Sequence, residues 1–278
     1  QRTGLIADCG LRISDWRRPQ SAIRNPKFFG GLMRVLKIGG NELDDPGFLP
    51  LLAGWIAAAG EPMVVVHGGG RDIAMMQTRL GLQPKKVDGL RITDPASLTV
   101  AQMVLSGHTN KHIVASLLAA GADAVGLSGV DGGLLRCTKK AHLTADLGMV
   151  GEIVAVRAEL LQRLAAGGLT AVLSPISLGH DGYIYNVNAD DAASAVAQAL
   201  PAEQLDFISN VPGVLHEGRV VARLTAVQTE DLITQGIING GMVPKVRGAL
   251  TAVAQGIPQV RIVNLTGLLN GGGTVFTE

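Results

Sequence analysis

Residues 63–80 read MVVVHGGGRDIAMMQTRL: a β-branched run at Met63–Val66, then His67-Gly68-Gly69-Gly70, then helical spacing from Asp72 to Leu80. A strand, a glycine turn and a helix in that order make the first half of a βαβ unit. The same order recurs outward from it. Apolar runs rich in β-branched residues occur at Arg34–Ile38, Ala124–Leu127, Thr170–Leu173, Asp206–Ser209 and Gln259–Val263. Helical spacing separates most of them, at Pro46–Ala59, Pro95–Ser106, Asn110–Ala120, Arg157–Ala166, Asp190–Leu200, Thr229–Gln235 and Met242–Gln255. This alternation predicts an α/β fold with a mainly parallel open sheet covered by helices on both faces. Segments 135–156 and 178–187 read as hairpins, which are expected to make that sheet mixed.

Composition narrows the function. The 278 residues suffice for one large domain or two lobes. Only 17% are charged, below the ~25% usual for soluble proteins, which excludes disorder and a highly solvated coiled coil. Lysine plus arginine (24) nearly cancels aspartate plus glutamate (23), and aromatics make up 3%. A nucleic-acid partner is therefore not expected, since counterion release needs a basic excess and base stacking needs aromatics. The longest apolar stretch, Phe48–Gly60, has 13 residues and contains Pro50. A spanning helix needs roughly 20, so a buried helix is predicted and no membrane association. Two cysteines, Cys9 and Cys137, form neither a disulfide framework nor a CxxC pair, which suits a reducing cytoplasm.

Residues 1–33 differ from the rest. They carry six basic and two acidic residues, an Arg-Arg-Pro and an Asn-Pro breaker, and no sustained period. They lack the apolar core of a secretory signal. Met33 reads as a natural start, and residues 1–33 as an N-terminal tail, non-native or flexible.

Glycine is the informative residue, with 37 in the chain. Gly39-Gly40 follows one predicted strand, Gly68-Gly69-Gly70 the next, Ser128-Gly129 another and Ser209–Gly213 a later one. In an open parallel sheet ligands bind at the carboxyl ends of the strands, where glycines let backbone N–H groups approach an anion. The anion is not held by a P-loop or a dinucleotide fingerprint, because neither GxxxxGK[ST] nor a strand-following GxGxxG occurs. Instead Lys37 stands in the first glycine turn, and Lys245 follows Gly240-Gly241-Met242-Val243-Pro244. Between them in the chain lies Asn186-Val187-Asn188-Ala189-Asp190-Asp191. Two lysines gathered by an aspartate suit a transferring phosphoryl group, whose transition state needs positioning and charge neutralisation.

Each feature has a plainer alternative. Gly40 and Gly70 could serve helix–sheet packing, Arg91 a surface ion pair, and Asp190 the cap of its helix. His67 reads as a packed strand-end histidine and Cys137 as a small core residue. His108 and His112 have i, i+4 spacing, but no glutamate lies between them as in HExxH, and no metal site is expected.

Seven motifs stand in one order: Lys37-Ile38-Gly39-Gly40, Val66–Gly70, Gly89-Leu90-Arg91-Ile92-Thr93, Asn110-Lys111, Gly148-Met149-Val150-Gly151-Glu152, Asn186–Asp190 and Gly241–Val246. In these, residues 34–278 resemble the amino acid kinase family, most closely its acetylglutamate-phosphorylating members. The resemblance implies a three-layer sandwich of two lobes, residues 34–185 for the amino-acid substrate and 186–278 for the nucleotide. It implies ATP-dependent phosphorylation of the side-chain carboxylate of N-acetyl-L-glutamate, in arginine biosynthesis, by a cytoplasmic homodimer. By the same resemblance Lys37 and Lys245 flank the phosphoryl group in flight, on the acceptor and nucleotide sides, and Asp190 holds both. Gly68 and Gly69 bind substrate oxygens, Arg91 clamps the α-carboxylate, and Asn186 binds the same amino-acid moiety. Gly39, Gly40, Ser209, Asn210 and Gly213 serve the nucleotide. Magnesium is expected to arrive with ATP.

Two departures bear on this. The turn reads Ser209-Asn210 where many acetylglutamate-type members have Ser-Asp, and Ser-Asn-Val-Pro-Gly resembles kinases of carrier-bound aminoadipate in lysine biosynthesis. Residues 1–33 show no amphipathic helix, and residues 264–278 lack the histidine and glutamate of arginine-inhibited members. Weak or absent arginine feedback follows. A third reading, a non-catalytic sensor, sits poorly with the retention of Lys37, Asp190 and Lys245 together.

Overall fold

A computed structural model describes residues 33–40, 42–60, 62–87, 89–200 and 202–278. The readings made above for Cys9 and the tail lie outside these residues, apart from Met33. In chain order the first elements are β1 (Arg34–Ile38), α1 (Phe48–Ala59), β2 (Val64–His67) and α2 (Gly70–Arg79). A short hairpin of β3 (Lys86–Val87) and β4 (Leu90–Arg91) leads to α3 (Pro95–Gln102), which passes through a π-helical stretch, Met103–Thr109, into α4 (Asn110–Ala119). Then come β5 (Ala124–Ser128), β6 (Leu135–Lys139), β7 (Val150–Val156), α5 (Ala158–Ala166), β8 (Thr170–Ser174), β9 (Ile176–Gly179) and β10 (Ile184–Val187). The remainder holds α6 (Ala189–Ala199), β11 (Gln204–Ile208), the short β12 (Leu215–His216), β13 (Arg219–Val220) and β14 (Arg223–Leu224), and α7 (Ala226–Thr234). The chain closes with α8 (Met242–Ala254), β15 (Gln259–Val263), α9 (Leu265–Asn270) and β16 (Thr274–Phe276).

Eight of these strands form one sheet in the order β14-β16-β15-β11-β1-β2-β8-β5. Every pair in it is parallel except β15 with β16. All four residues of β2 are buried, as a strand covered on both faces requires. Its side chains alternate between two cores. Val64 and Val66 pack with Val196 of α6 and Val246 of α8 on one face. Val65 packs with Leu52 of α1, Ile113 of α4 and Leu268 of α9 on the other. The α/β class with a mainly parallel sheet between helical layers is therefore realised.

Both predicted hairpins form, but not where expected. β6 pairs antiparallel with β7, and β9 with β10; the two hairpins then close on each other into a separate four-stranded barrel. The antiparallel member of the main sheet is instead β16, which the sequence reading missed together with α9. These are three- and six-residue elements, too short to display a period.

One buried ionic group ties three central strands together. Asp206, fully buried on β11, accepts from Arg34 Nε of β1 at 2.7 Å and from Arg261 Nε of β15 at 2.6 Å. Gln204 Nε2 donates to the same carboxylate at 2.7 Å.

Candidate active site

A cavity of about 850 Å³ lies at the carboxyl ends of β1 and β11, and its wall includes Lys37, Gly39, Gly40, Asp190, Ser209 and Lys245. Parallel pairing brings β11, β1 and β2 to one edge, so the glycine turns that follow them in sequence converge there. Lys37 projects from β1, and its ammonium lies 2.7 Å from Asp190 Oδ1. Asp190 stands in the first turn of α6, whose cap residue, Asn188, accepts the Asp190 N–H at 2.7 Å. A carboxylate is favoured at that end of a helix by the backbone dipole. Capping and the lysine contact are thus both present.

Lys245 comes from the first turn of α8, where Pro244 is tolerated because the N–H groups of a first turn lack intrahelical partners. Its ammonium donates to Ser209 Oγ at the end of β11. Burial pulls Lys245 below the ordinary lysine value; Glu42 pushes it back up, nearby Lys37 lowers it and Asp190 raises it. Asp190 therefore touches Lys37 directly and acts on Lys245 through its charge.

Arg91 enters the cavity from β4. Its Nη1 donates to Gln77 Oε1 at 2.9 Å and its Nη2 to the Gly70 carbonyl at 2.6 Å, and burial draws the guanidinium below its ordinary value. No carboxylate neutralises it among the described residues. Lys86 and Arg71 share this wall, Arg71 being paired with Asp44.

The other sequence-predicted residues are placed as follows. Gly40 lies so close to the next turn that a Cβ would come 3.0 Å from Gly69 Cα, so close packing of the two turns favours a glycine there. Gly69 is buried beneath the cavity wall, Gly68 is half-buried beside it, and the Glu42 carboxylate occupies the space beside Gly39. Asn186 does not reach the wall: its Nδ2 donates to Thr93 Oγ1 at 3.3 Å, and Asn188 lines the cavity instead. Asn210 and Gly213 are off the wall: Asn210 is exposed and accepts from Ser209 Oγ at 3.4 Å, and Gly213 stands against Thr274.

Asn188 and Asp191 stand in the motif around Asp190 but were given no role of their own, and Glu42 and Lys86 on the wall and Gln77 behind it were not expected as site residues. Gln77 also left a signal, an amide at the buried position one turn after Ile73 on α2.

His67 is fully buried. Its Nδ1 lies 3.0 Å from the Gly68 carbonyl and its Nε2 3.2 Å from Asn110 Nδ2. One tautomer satisfies both, with Nδ1–H donating and Nε2 accepting. Burial pushes its pKa down to about 4, against a smaller upward pull from the Gly68 bond. Cys137 is buried in the barrel, where burial raises its thiol to about 11. The His108 and His112 rings lie 4.4 Å apart, and no group of three potential metal-ligating side chains occurs among the described residues. No helix among them is long and apolar enough to cross a membrane.

Chemically, two ammonium groups with a carboxylate beside them can hold and neutralise a phosphoryl group. The unneutralised guanidinium of Arg91 can take a carboxylate.

Comparison with known proteins gives a consistent result. The pattern of the amino acid kinase family matches residues 33–264. An acetylglutamate kinase of Roseiflexus sp. (strain RS-1) is 52% identical over 244 residues, spanning 88% of this chain and 93% of that protein. An acetylglutamate kinase of Chloroflexus aurantiacus is 52% identical over 245 residues, spanning 88% and 96%. Among solved structures, smu.665 from Streptococcus mutans UA159 superposes with a TM-score of 0.75 at 29% identity, covering 88% of this chain and 98% of that one.

Proposed function

The chain belongs to the amino acid kinase family, and from that premise we propose that it phosphorylates the side-chain carboxylate of N-acetyl-L-glutamate with ATP, in the second step of arginine biosynthesis. The observation that carries this reading is the gathering of Lys37, Asp190 and Lys245 around the same cavity that Arg91 lines. The acceptor is the one named for relatives at 52% identity.

The reaction needs no general base. A side-chain carboxylate with a pKa near ~4.3 is already ionised at neutral pH. One of its oxygens attacks the γ-phosphorus, an O–P bond forms, and the bond from that phosphorus to the β-bridging oxygen breaks. The products are the acyl phosphate and ADP. Lys37 neutralises charge on the acceptor side and Lys245 on the leaving side, with Asp190 keeping Lys37 in register. The Gly39, Gly40 and Gly69 amides supply further donors, the Gly68 N–H being engaged by the Ile38 carbonyl at 2.9 Å, and Arg91 holds the α-carboxylate. Asn186 bears on the amino-acid side only through its bond to Thr93, and Asn188 takes the place on the wall. Ser209 forms the nucleotide side on the wall, with Asn210 and Gly213 following it in the same turn.

Magnesium fits as a companion of ATP. The carboxylates on the wall are Glu42, Asp190 and Asp191; Asp190 pairs with Lys37, and Asp191 with Lys140 at 3.2 Å. The ion would be held chiefly by phosphate oxygens and water, with Glu42 the carboxylate left for it, and would supply charge neutralisation on the nucleotide. The lobes 34–185 and 186–278, a cytoplasmic homodimer and weak or absent arginine feedback belong to the same reading.

The test is ADP release with magnesium and ATP, offered N-acetyl-L-glutamate, L-glutamate, N-acetyl-L-aspartate and N-acetyl-L-aminoadipate in turn. Selective turnover of the first is expected. Failure with all four free acceptors would overturn the reading.

A further inference from the structure

We propose that Gln77 is a positioning residue for Arg91, the last link of a buried relay that aims the guanidinium at the acceptor's α-carboxylate without neutralising it. The inference rests on the reaction proposed above and extends it to a residue behind the site.

Gln77 is 1% exposed on α2, and both ends of its amide are engaged. Oε1 accepts from Arg91 Nη1 at 2.9 Å, and Nε2 donates to Ser97 Oγ at 2.7 Å. Ser97 is also buried, and its N–H donates to Asp94 Oδ1, the cap of α3, at 2.7 Å. The relay therefore runs from the start of α3, through the interior, to the clamp. A buried amide is costly unless bonded, so its orientation is fixed once both partners are in place.

The chemistry of the anchors matters as much as their geometry. Arg91 is held by an amide oxygen and, through Nη2, by the Gly70 carbonyl. Both acceptors are uncharged. A carboxylate in the place of Gln77 would hold the guanidinium equally well and cancel its charge. Among the described residues these neutral anchors engage two of its five N–H groups and leave the charge and three donors for a ligand. Since Gly70 and Gln77 lie seven residues apart on one face of α2, the helix that begins at the glycine turn also fixes the clamp.

The test compares N-acetyl-L-glutamate with 4-acetamidobutanoate, the same acceptor without its α-carboxylate, by kcat/KM or, for an analogue that does not turn over, by its inhibition constant. Gln77→Met preserves volume and removes the acceptor atom. It is expected to reduce preference for N-acetyl-L-glutamate over the analogue about 10-fold, mostly through acceptor KM, with KM for ATP unchanged. Ser97→Ala, one link back, should shift the preference in the same direction by less, and serves alone if Gln77→Met does not fold. Equal losses for both acceptors would reveal a merely structural role and overturn the inference, as would an unchanged preference. A wild-type protein inactive on N-acetyl-L-glutamate would instead overturn the reaction beneath it.

Discussion

Lys37 Nζ and Asp190 Oδ1 meet at 2.7 Å, joining the central strand of the main sheet to the first turn of α6. The contact holds a cation at the cavity edge of β1 while the helix dipole of α6 holds its partner. Lys37→Ala and Asp190→Asn are each expected to lower kcat by about 10²–10³, and the double variant by little more than the worse single one, because the two groups act as a unit. Steady-state kinetics of the three variants checks this; independent, multiplying losses would contradict it.

Lys245 reaches the same cavity from α8 and rests on Ser209 Oγ. Lys245→Ala should abolish turnover to a similar degree, about 10²–10³ in kcat. Ser209→Ala, which frees the ammonium without removing it, should mainly raise KM for ATP. Stopped assays at varied ATP separate the two effects.

His67 supplies a pH dependence of stability. Its folded pKa is about 4 against an ordinary 6.5, so between those values the unfolded chain binds the extra proton. Its contribution is complete above pH 6.5 and is lost as pH falls toward 4, by about 3 kcal/mol in total. Denaturant midpoints measured from pH 7 to pH 4.5 should fall in the wild type and fall less in His67→Gln.

Asp206 pairs with both Arg34 and Arg261 from a fully buried position. Asp206→Asn leaves both guanidinium groups without their counter-charge and should destabilise the fold by about 3–5 kcal/mol. Urea unfolding reads this directly, and a loss below ~1 kcal/mol would contradict the account.

Gly148 sits at φ +70° with the Thr93 carbonyl where a Cβ would project, and Thr93 in turn receives Asn186. Gly148→Ala is expected to cost at least ~1–2 kcal/mol and to raise acceptor KM more than ATP KM. Thermal melts and two-substrate kinetics together test it.

The sequence reading reached what local pattern encodes. The β1 and β15 bounds, the buried run of β2 and the glycine turns at strand ends all follow from hydrophobic period and backbone freedom, and they were legible. Lys37, Asp190 and Lys245 were recognised by residue type and motif. The barrel was not legible, because its closure depends on β6 pairing with β9 across more than thirty residues and two hairpins look alike whether or not they close. Asn186 was expected beside the substrate, but its amide bonds Thr93, and the wall falls to Asn188, which lies past the end of β10 at the cap of α6. The Gln77 contacts with Arg91 and Ser97 span 14 and 20 residues, beyond any periodic signal.

The most direct measurement follows the oxygen. N-acetyl-L-glutamate labelled with 18O in its side-chain carboxylate is turned over with magnesium and ATP, and hydroxylamine then cleaves the product at its carbonyl carbon. Attack by the carboxylate places its oxygen in the bridge to phosphorus, so the released inorganic phosphate should carry one labelled oxygen per turnover. Unlabelled phosphate, formed with or without the acceptor, would mean that water and not the carboxylate is the nucleophile.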